Sequence, residues 1–262
     1  MAAQLLNASV IRRIDVAEGL AIFRILPDFG VPDFSPGQYV ALGLPGTHPR
    51  PLEYPPEKEV LKSPEKLIKR SYSIGSSPFE KDYLEFYIAI VPEGALTSRI
   101  ALLSEGGRIW IAPKIVGRFG VDGVPKGRNL VLIATGTGIA PYISMLRTDP
   151  IRFEYGRIIL IHGVRYESDL AYDIELENLK KIAPNFSYYS IVSRPSPNWS
   201  GHRGYVQDLI KNGIVRLDSS SDHVFLCGNP AMIDDVQGLL AVNGYTEHSS
   251  RSPGNLHLEK YW

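Results

Sequence analysis

The sequence is poor in the features that mark out whole classes of protein. Of its 262 residues only Cys227 is a cysteine. That excludes an internal disulfide framework and any iron–sulfur cluster held by this chain's own cysteines. With the histidines scattered, it also leaves no ligand spacing for a metal such as zinc. No apolar run approaches the ~20 residues that cross a bilayer as a helix. Net charge is absent, with 28 basic against 28 acidic residues, so the global field points to neither a nucleic-acid nor a membrane partner. The start, Met1-Ala-Ala-Gln-Leu-Leu6, has no basic region followed by an apolar stretch; no signal peptide is read there, and a reducing, cytoplasmic setting is expected. Internal repeats are missing, and so is the Gly-x-Ser-x-Gly elbow of hydrolase chemistry. What remains, 44% hydrophobic and 21% charged, is an ordinary globular composition with length for two domains.

The first half reads as short strands separated by turn residues: 4–15, 20–27, 38–44, 69–75, 83–91 and 108–112. Several alternate, as in Leu84-Glu-Phe-Tyr-Ile-Ala89, which predicts a sheet with one buried face. Six such strands imply a small antiparallel barrel or sandwich. Residues 45–67 interrupt the pattern with six prolines and with Lys58, Lys62 and Lys66. Proline removes ladder donors, so this segment is expected to be an irregular surface insertion. It is either a structural elaboration or a docking site.

Beyond Asp122-Gly-Val-Pro-Lys-Gly-Arg128, where glycine and proline mark a domain boundary, strands alternate with helices. Strands are predicted over 130–134, 157–164, 186–193, 223–227 and 256–261, and helices over 139–147, 169–182, 206–212 and 231–243. This alternation predicts a parallel sheet covered on both faces, with ligands at the carboxyl ends of its strands.

Three stretches and a set of arginines carry chemistry. Val131-Leu-Ile-Ala-Thr-Gly-Thr-Gly-Ile-Ala-Pro141 reads as strand, glycine turn and helix start. Glycines at Gly136 and Gly138 admit an anion to the backbone, beside Thr135 and Thr137, and first-turn N–H groups face it. Arg70-Ser71-Tyr72-Ser73 puts a phosphate donor, hydroxyls and an aromatic face on one strand, with 70 and 72 on one side and 71 and 73 on the other. Pro92-Glu-Gly-Ala-Leu-Thr-Ser-Arg99 offers a second helix start, with Thr97 or Ser98 as its cap and Ile100–Leu103 continuing it. Arg165, Arg194 and Arg203 fall after the second and third strands of the parallel sheet and in the connection that follows. An NAD-selective site would place an acid near the second strand's end; Val164-Arg165-Tyr166 stands there instead, with Asp169 further along. Guanidinium groups suit the 2′-phosphate of NADP.

Taken in order, Arg70-Ser-Tyr-Ser73, Gly94-Ala-Leu-Thr97, Thr135-Gly-Thr-Gly-Ile-Ala-Pro141 and Cys227-Gly-Asn-Pro230 resemble the ferredoxin–NADP⁺ reductase family. The terminal Glu259-Lys-Tyr-Trp262 resembles its bacterial flavodoxin/ferredoxin members, and the likeness covers nearly the whole chain, leaving out mainly the proline-rich insertion. The resemblance implies an N-terminal six-stranded antiparallel β-barrel that binds FAD (1–122). It also implies a C-terminal doubly wound α/β domain that binds NADP(H) (123–262). It implies that Arg70, Ser71, Tyr72 and Ser73 hold FAD with Gly94, Leu96 and Thr97, Tyr72 stacking on the flavin. Thr135, Gly136, Thr137 and Gly138 would seat the NADP pyrophosphate, and Arg165, Ser193, Arg194 and Arg203 the 2′-phosphate. Tyr261 would lid the flavin and Trp262 stack on its adenine, while Ser73, Cys227 and Glu259 form the reacting centre. The implied activity is oxidoreductase chemistry: hydride transfer between NADPH and the flavin, with single-electron exchange to ferredoxin or flavodoxin, by a monomer. Lys58, Lys62 and Lys66 would help dock that acidic partner. A flavin reductase serving another acceptor, such as the NADH-dependent component of an oxygenase, is the alternative enzyme. A degenerate flavoprotein acting as a binding module is the non-enzymatic one.

Overall fold

The computed structural model describes residues 6–59, 63–148 and 154–260, and the chain divides into two compact units. The first comprises Met1–Gly120 and Ile143–Thr148, the second Val121–Tyr142 and Asp149–Trp262.

In the first unit, strands β1 (Ala8–Ala17), β2 (Leu20–Pro27), β3 (Tyr39–Pro45), β4 (Leu67–Ser73), β5 (Leu84–Ala89) and β6 (Arg108–Ile111) form one sheet in the order β4-β3-β6-β1-β2-β5. All its pairings are antiparallel. The Gly75 N–H donates to the Glu85 carbonyl at 2.8 Å, just past β4. This joins the two edges and rolls the sheet into a barrel around Val10, Phe23, Leu42, Phe86, Ile100 and Ile109. Each such buried side chain contributes roughly 1.5–3 kcal/mol.

Strand β5 departs from its predicted single buried face: Leu84 through Ile88 are all buried. Glu85, expected on the solvent side, is 1% exposed and pairs with Arg24 Nε at 2.9 Å and Arg147 Nη1 at 2.6 Å. Arg147 also donates to the Gly75 carbonyl at 3.0 Å. Removing one partner of a buried pair leaves the others uncompensated. Glu85→Gln is therefore expected to lower unfolding free energy by about 3 kcal/mol in urea titration; a change under about 0.5 kcal/mol would show the carboxylate to be dispensable.

The insertion after β3 is anchored rather than loose. Arg99, a buried residue, pairs through its side chain with Glu57 at 2.8 Å and donates to the Gly46 carbonyl. The Lys58 N–H donates to Glu93 O at 3.1 Å, and Glu59 pairs with Arg70. Three successive residues thus tie the insertion to Arg99, to the loop at Gly94 and to β4. Lys58 and Lys66 are exposed; Lys62 lies outside the described residues.

The short helix α1 (Thr97–Ile100) corrects the predicted cap and length. Leu96 stands at the N-cap without a side-chain bond, and the helix ends at Ile100. The Thr97 hydroxyl instead accepts from Val91 N at 3.1 Å and donates to Val91 O at 3.0 Å, closing the turn before the helix.

The second unit is a six-stranded parallel sheet in the order β10-β9-β8-β7-β11-β12. Its strands are β7 (Asn129–Thr135), β8 (Ile158–Val164), β9 (Phe186–Val192), β10 (His202–Arg203), β11 (Asp222–Gly228) and β12 (Leu256–Lys260). The helices are α2 (Ala140–Leu146), of which only Ala140–Tyr142 fall in this unit, α3 (Asp173–Ile182), α4 (Val206–Lys211) and α5 (Pro230–Ala241). Residues 169–182, predicted as one helix, divide into a 3₁₀ turn at Glu167–Asp169 and α3. Arg203, predicted in a connection, lies on the edge strand β10, paired with Val192. The order reverses between β7 and β11. Such a reversal opens a crevice beyond the strands' carboxyl ends.

Candidate active site

At that reversal β7 ends in Thr135 and runs into a 3₁₀ turn, Gly136–Ile139, continued by α2. Gly136 has φ +54°, a left-handed conformation that favours glycine, and nothing lies within 4 Å of where its Cβ would be. Gly138 is needed for the opposite reason: a Cβ there would sit 2.5 Å from the Cys227 carbonyl oxygen. Close packing of the turn on β11 is what brings Cys227 beside it.

Cys227 is fully buried near the end of β11, in register with Glu259 of β12. Its Sγ lies 4.0 Å from Glu259 Oε1, at the outer limit of a sulfur hydrogen bond. The next turn is fixed by Asn229, whose N–H donates to the Thr135 hydroxyl at 3.0 Å and whose side chain caps α5 at Ala231 N, 2.8 Å away. Thr135, Gly136, Thr137, Gly138, Cys227 and Glu259 are therefore brought together. Tyr261 and Trp262, which follow, lie outside the described residues.

The arginines gather at the other side of the same sheet. Register places Val164 of β8 opposite Val192 of β9, and Val192 opposite Arg203 of β10. Arg165 and Arg194 follow those strand ends, joined by Arg194 N–H donating to Arg165 O at 2.8 Å. All three arginines are exposed. Ser193 Oγ lies 3.3 Å from the Val164 carbonyl. Arg203 Nη2 donates to the carbonyl of Trp199 at 2.6 Å and, at longer range, to those of Ser196 and Pro197. Two acids stand near them. Glu167 accepts from Ser196 N at 2.8 Å; the Ser196 side chain first, then backbone N–H groups, with the Arg203 charge adding to them, hold its carboxyl below the usual range. Asp169 accepts from Tyr166 N at 3.1 Å.

In the first unit, β4 carries exposed Arg70 and Ser71, half-buried Tyr72 and buried Ser73. Arg70 donates to Lys69 O at 2.9 Å besides pairing with Glu59. Tyr72 packs against the barrel core, and burial raises its phenol pKa. Gly94 closes its turn by donating to Val91 O at 2.9 Å; Leu96 is buried and Thr97 holds Val91. In α1 the Ser98 hydroxyl is buried without a hydrogen-bond partner. Among the described residues no group of three or more metal-ligating side chains could hold a metal ion, and no helix is long and apolar enough to cross a membrane.

Two buried histidines escaped sequence reasoning, being single imidazoles in apolar strands. His162 of β8 is fully buried, and burial lowers its pKa from 6.5 to about 4. His257 stacks on Phe225 at 4.1 Å, with His223 and His248 beside it; burial first, then those two neighbours, lowers its pKa to about 3. Both values fall below that of the unfolded chain, which therefore binds more protons in acid. The stability they contribute is complete above about pH 6.5 and drains as pH falls toward 4. Between pH 7 and pH 5 the loss is expected to be about 2 kcal/mol per histidine, measured by urea titration at each pH. A stability independent of pH over that range would contradict it. His257→Phe should flatten the dependence.

Known proteins share this plan. The family model for an oxidoreductase NAD-binding domain matches residues 132–238. A flavodoxin/ferredoxin–NADP reductase of Buchnera aphidicola is 33% identical over 249 residues, 92% of this chain and 93% of that protein. One from Escherichia coli is 32% identical over 250 residues, again 92% and 93%. A ferredoxin NADP⁺ reductase from Neisseria gonorrhoeae, solved with bound FAD and NADP, superposes with a TM-score of 0.81 at 26% identity, covering 97% of each chain.

Proposed function

The chain belongs to the flavodoxin/ferredoxin–NADP reductase family and is an FAD-dependent oxidoreductase that works with NADP(H), and from that premise we propose how its residues divide the work. Residues 1–122 hold FAD and residues 123–262 hold NADP(H). Arg70 meets the FAD pyrophosphate, since a guanidinium forks onto two oxyanions, and Ser71 lies beside it. Gly94, Leu96 and Thr97 complete that seat, Tyr72 covers the flavin ring, and Ser73 stands at the reacting edge. Tyr261 and Trp262 would cover the ring's other side and the adenine.

For NADP(H), Thr135, Gly136, Thr137 and Gly138 receive the pyrophosphate. Arg165, Ser193, Arg194 and Arg203 receive the 2′-phosphate. The groups fit both seats. The face of Gly136 is open to an anion, and the acids near the arginines are occupied by backbone N–H groups. In the first unit the exposed Arg70, now paired with Glu59, would exchange that partner for phosphate oxygens.

Bound FAD supplies the redox chemistry, exchanging a hydride with the nicotinamide and single electrons with the acceptor. The protein's task is alignment and exclusion of water. Cys227 would meet the nicotinamide, and Glu259, in register beside it, would serve proton exchange at the reacting centre. The observation that carries this reading is the 4.0 Å Cys227–Glu259 pair held against the glycine turn. The acceptor is ferredoxin or flavodoxin, met transiently by a cytoplasmic monomer, with Lys58, Lys62 and Lys66 toward the acidic partner. A visible spectrum followed by stopped-flow mixing tests it. A yellow protein whose flavin is bleached faster by NADPH than by NADH is expected; a protein that cannot be loaded with FAD would end the proposal.

A further inference from the structure

Strand β8 reads Ile-Ile-Leu-Ile-His-Gly-Val, and His162 is its only ionisable residue. The side chain is fully buried, and Nε2 lies 2.9 Å from the carbonyl oxygen of Gly136. A carbonyl only accepts, so Nε2 carries the proton. Nδ1 is then the unprotonated nitrogen, and it is buried with no hydrogen-bond partner. Burial keeps the ring neutral, with its pKa lowered to about 4. An apolar side chain would fill this place without leaving a nitrogen desolvated and unpaired. The contact to Gly136 is what distinguishes histidine here.

We propose that His162 is a positioning residue for the NADP(H) pyrophosphate, acting through the Gly136 carbonyl; this rests on the reading that the Thr135–Gly138 turn receives that group. The geometry follows from the peptide plane. In a trans peptide the C=O and the next N–H point in opposite directions. A Gly136 carbonyl held by His162 therefore turns the Thr137 N–H the other way. That N–H belongs to the first turn of a helix, whose donors have no intrahelical acceptor. With no Cβ at Gly136, no side chain of its own restrains this plane. The buried hydrogen bond does. A neutral donor also adds no charge beneath the site, so the turn is set identically across the physiological pH range.

The test uses the FAD-loaded protein and two ligands. NADP⁺ carries the pyrophosphate; adenosine 2′-monophosphate keeps the adenine and the 2′-phosphate but lacks it. Calorimetric titration of H162F, which fills the ring's volume without a donor, is expected to show NADP⁺ binding weakened about tenfold and 2′-AMP within twofold of wild type. H162Q, which keeps an N–H at similar reach, should recover NADP⁺ to within about threefold. FAD content is measured alongside. Equal losses for both ligands, or no loss for NADP⁺, would overturn the proposal. So would a ring proton on Nδ1 rather than Nε2 in the ¹⁵N spectrum of the wild-type imidazoles, a measurement independent of how the variants fold. If wild-type protein bound NADP⁺ no more tightly than 2′-AMP, the pyrophosphate reading itself would fail, an outcome seen before any variant is made.

Discussion

Gly138→Ala is expected to slow flavin reduction by NADPH about a hundredfold while the protein stays yellow. The added methyl would meet the Cys227 carbonyl oxygen at 2.5 Å and its carbon at 2.8 Å. Both are backbone atoms, so no side chain can rotate away, and either the turn or the end of β11 must move. Moving either shifts the turn proposed to seat the pyrophosphate relative to Cys227 and Glu259. Displacements near 1 Å in a reacting geometry cost on the order of 10²-fold. The strain itself costs about 1–3 kcal/mol, in the range of other overpacked sites. Stopped-flow absorbance gives the rate. Dithionite reduction of the same flavin should be unchanged, since it uses no nicotinamide site. If the variant reduced with NADPH within threefold of wild type, the close approach of turn and strand would not be what aligns the centre.

The double variant Arg194→Ala, Arg203→Ala should erase the preference for NADPH over NADH. Each charge-assisted hydrogen bond to a phosphate is worth roughly 1.5–3 kcal/mol, and exposed ones lie at the low end. Two such losses predict about a hundredfold weaker NADPH binding with NADH within twofold. Arg203 complicates the single variants, because Nη2 also holds the carbonyls of Ser196, Pro197 and Trp199. Arg203→Lys keeps the charge and forfeits the fork. Comparing it with Arg203→Ala separates loss of charge from loosening of the 196–199 loop. Equal losses for NADH and NADPH would show that these arginines support the loop and do not select the nucleotide.

Much of this was legible in the sequence, for physical reasons that also explain what was not. Strand positions followed from local alternation and from glycine and proline between them. Arg165 and Arg194 could be placed because each follows a strand end, and strand ends were readable. Strand β10 was missed because His202–Arg203 is too short to show a period. Glu85 was put on the wrong face because its partners, Arg24 and Arg147, lie 61 and 62 residues away. Local pattern cannot register a charge neutralised by distant sequence. The same holds for Thr97, whose hydroxyl goes back to Val91 rather than capping its own helix. His162 carries no spacing signal at all: one polar residue in an apolar strand is identified only by where its ring nitrogen ends up.

The solitude of Cys227 has a practical consequence. It is the chain's sole thiol and is fully buried. A chromogenic disulfide reagent added to the native protein therefore reacts at one atom and only when the carboxyl end of β11 opens. When closing outpaces labelling, the reaction rate reports the free energy of that local opening, as amide exchange does for a backbone proton. Compared with the labelling rate of the denatured chain, it converts directly to a protection factor. Repeated with NADP⁺ present, the same time course measures how strongly the nucleotide suppresses breathing at the strand end where Cys227 sits.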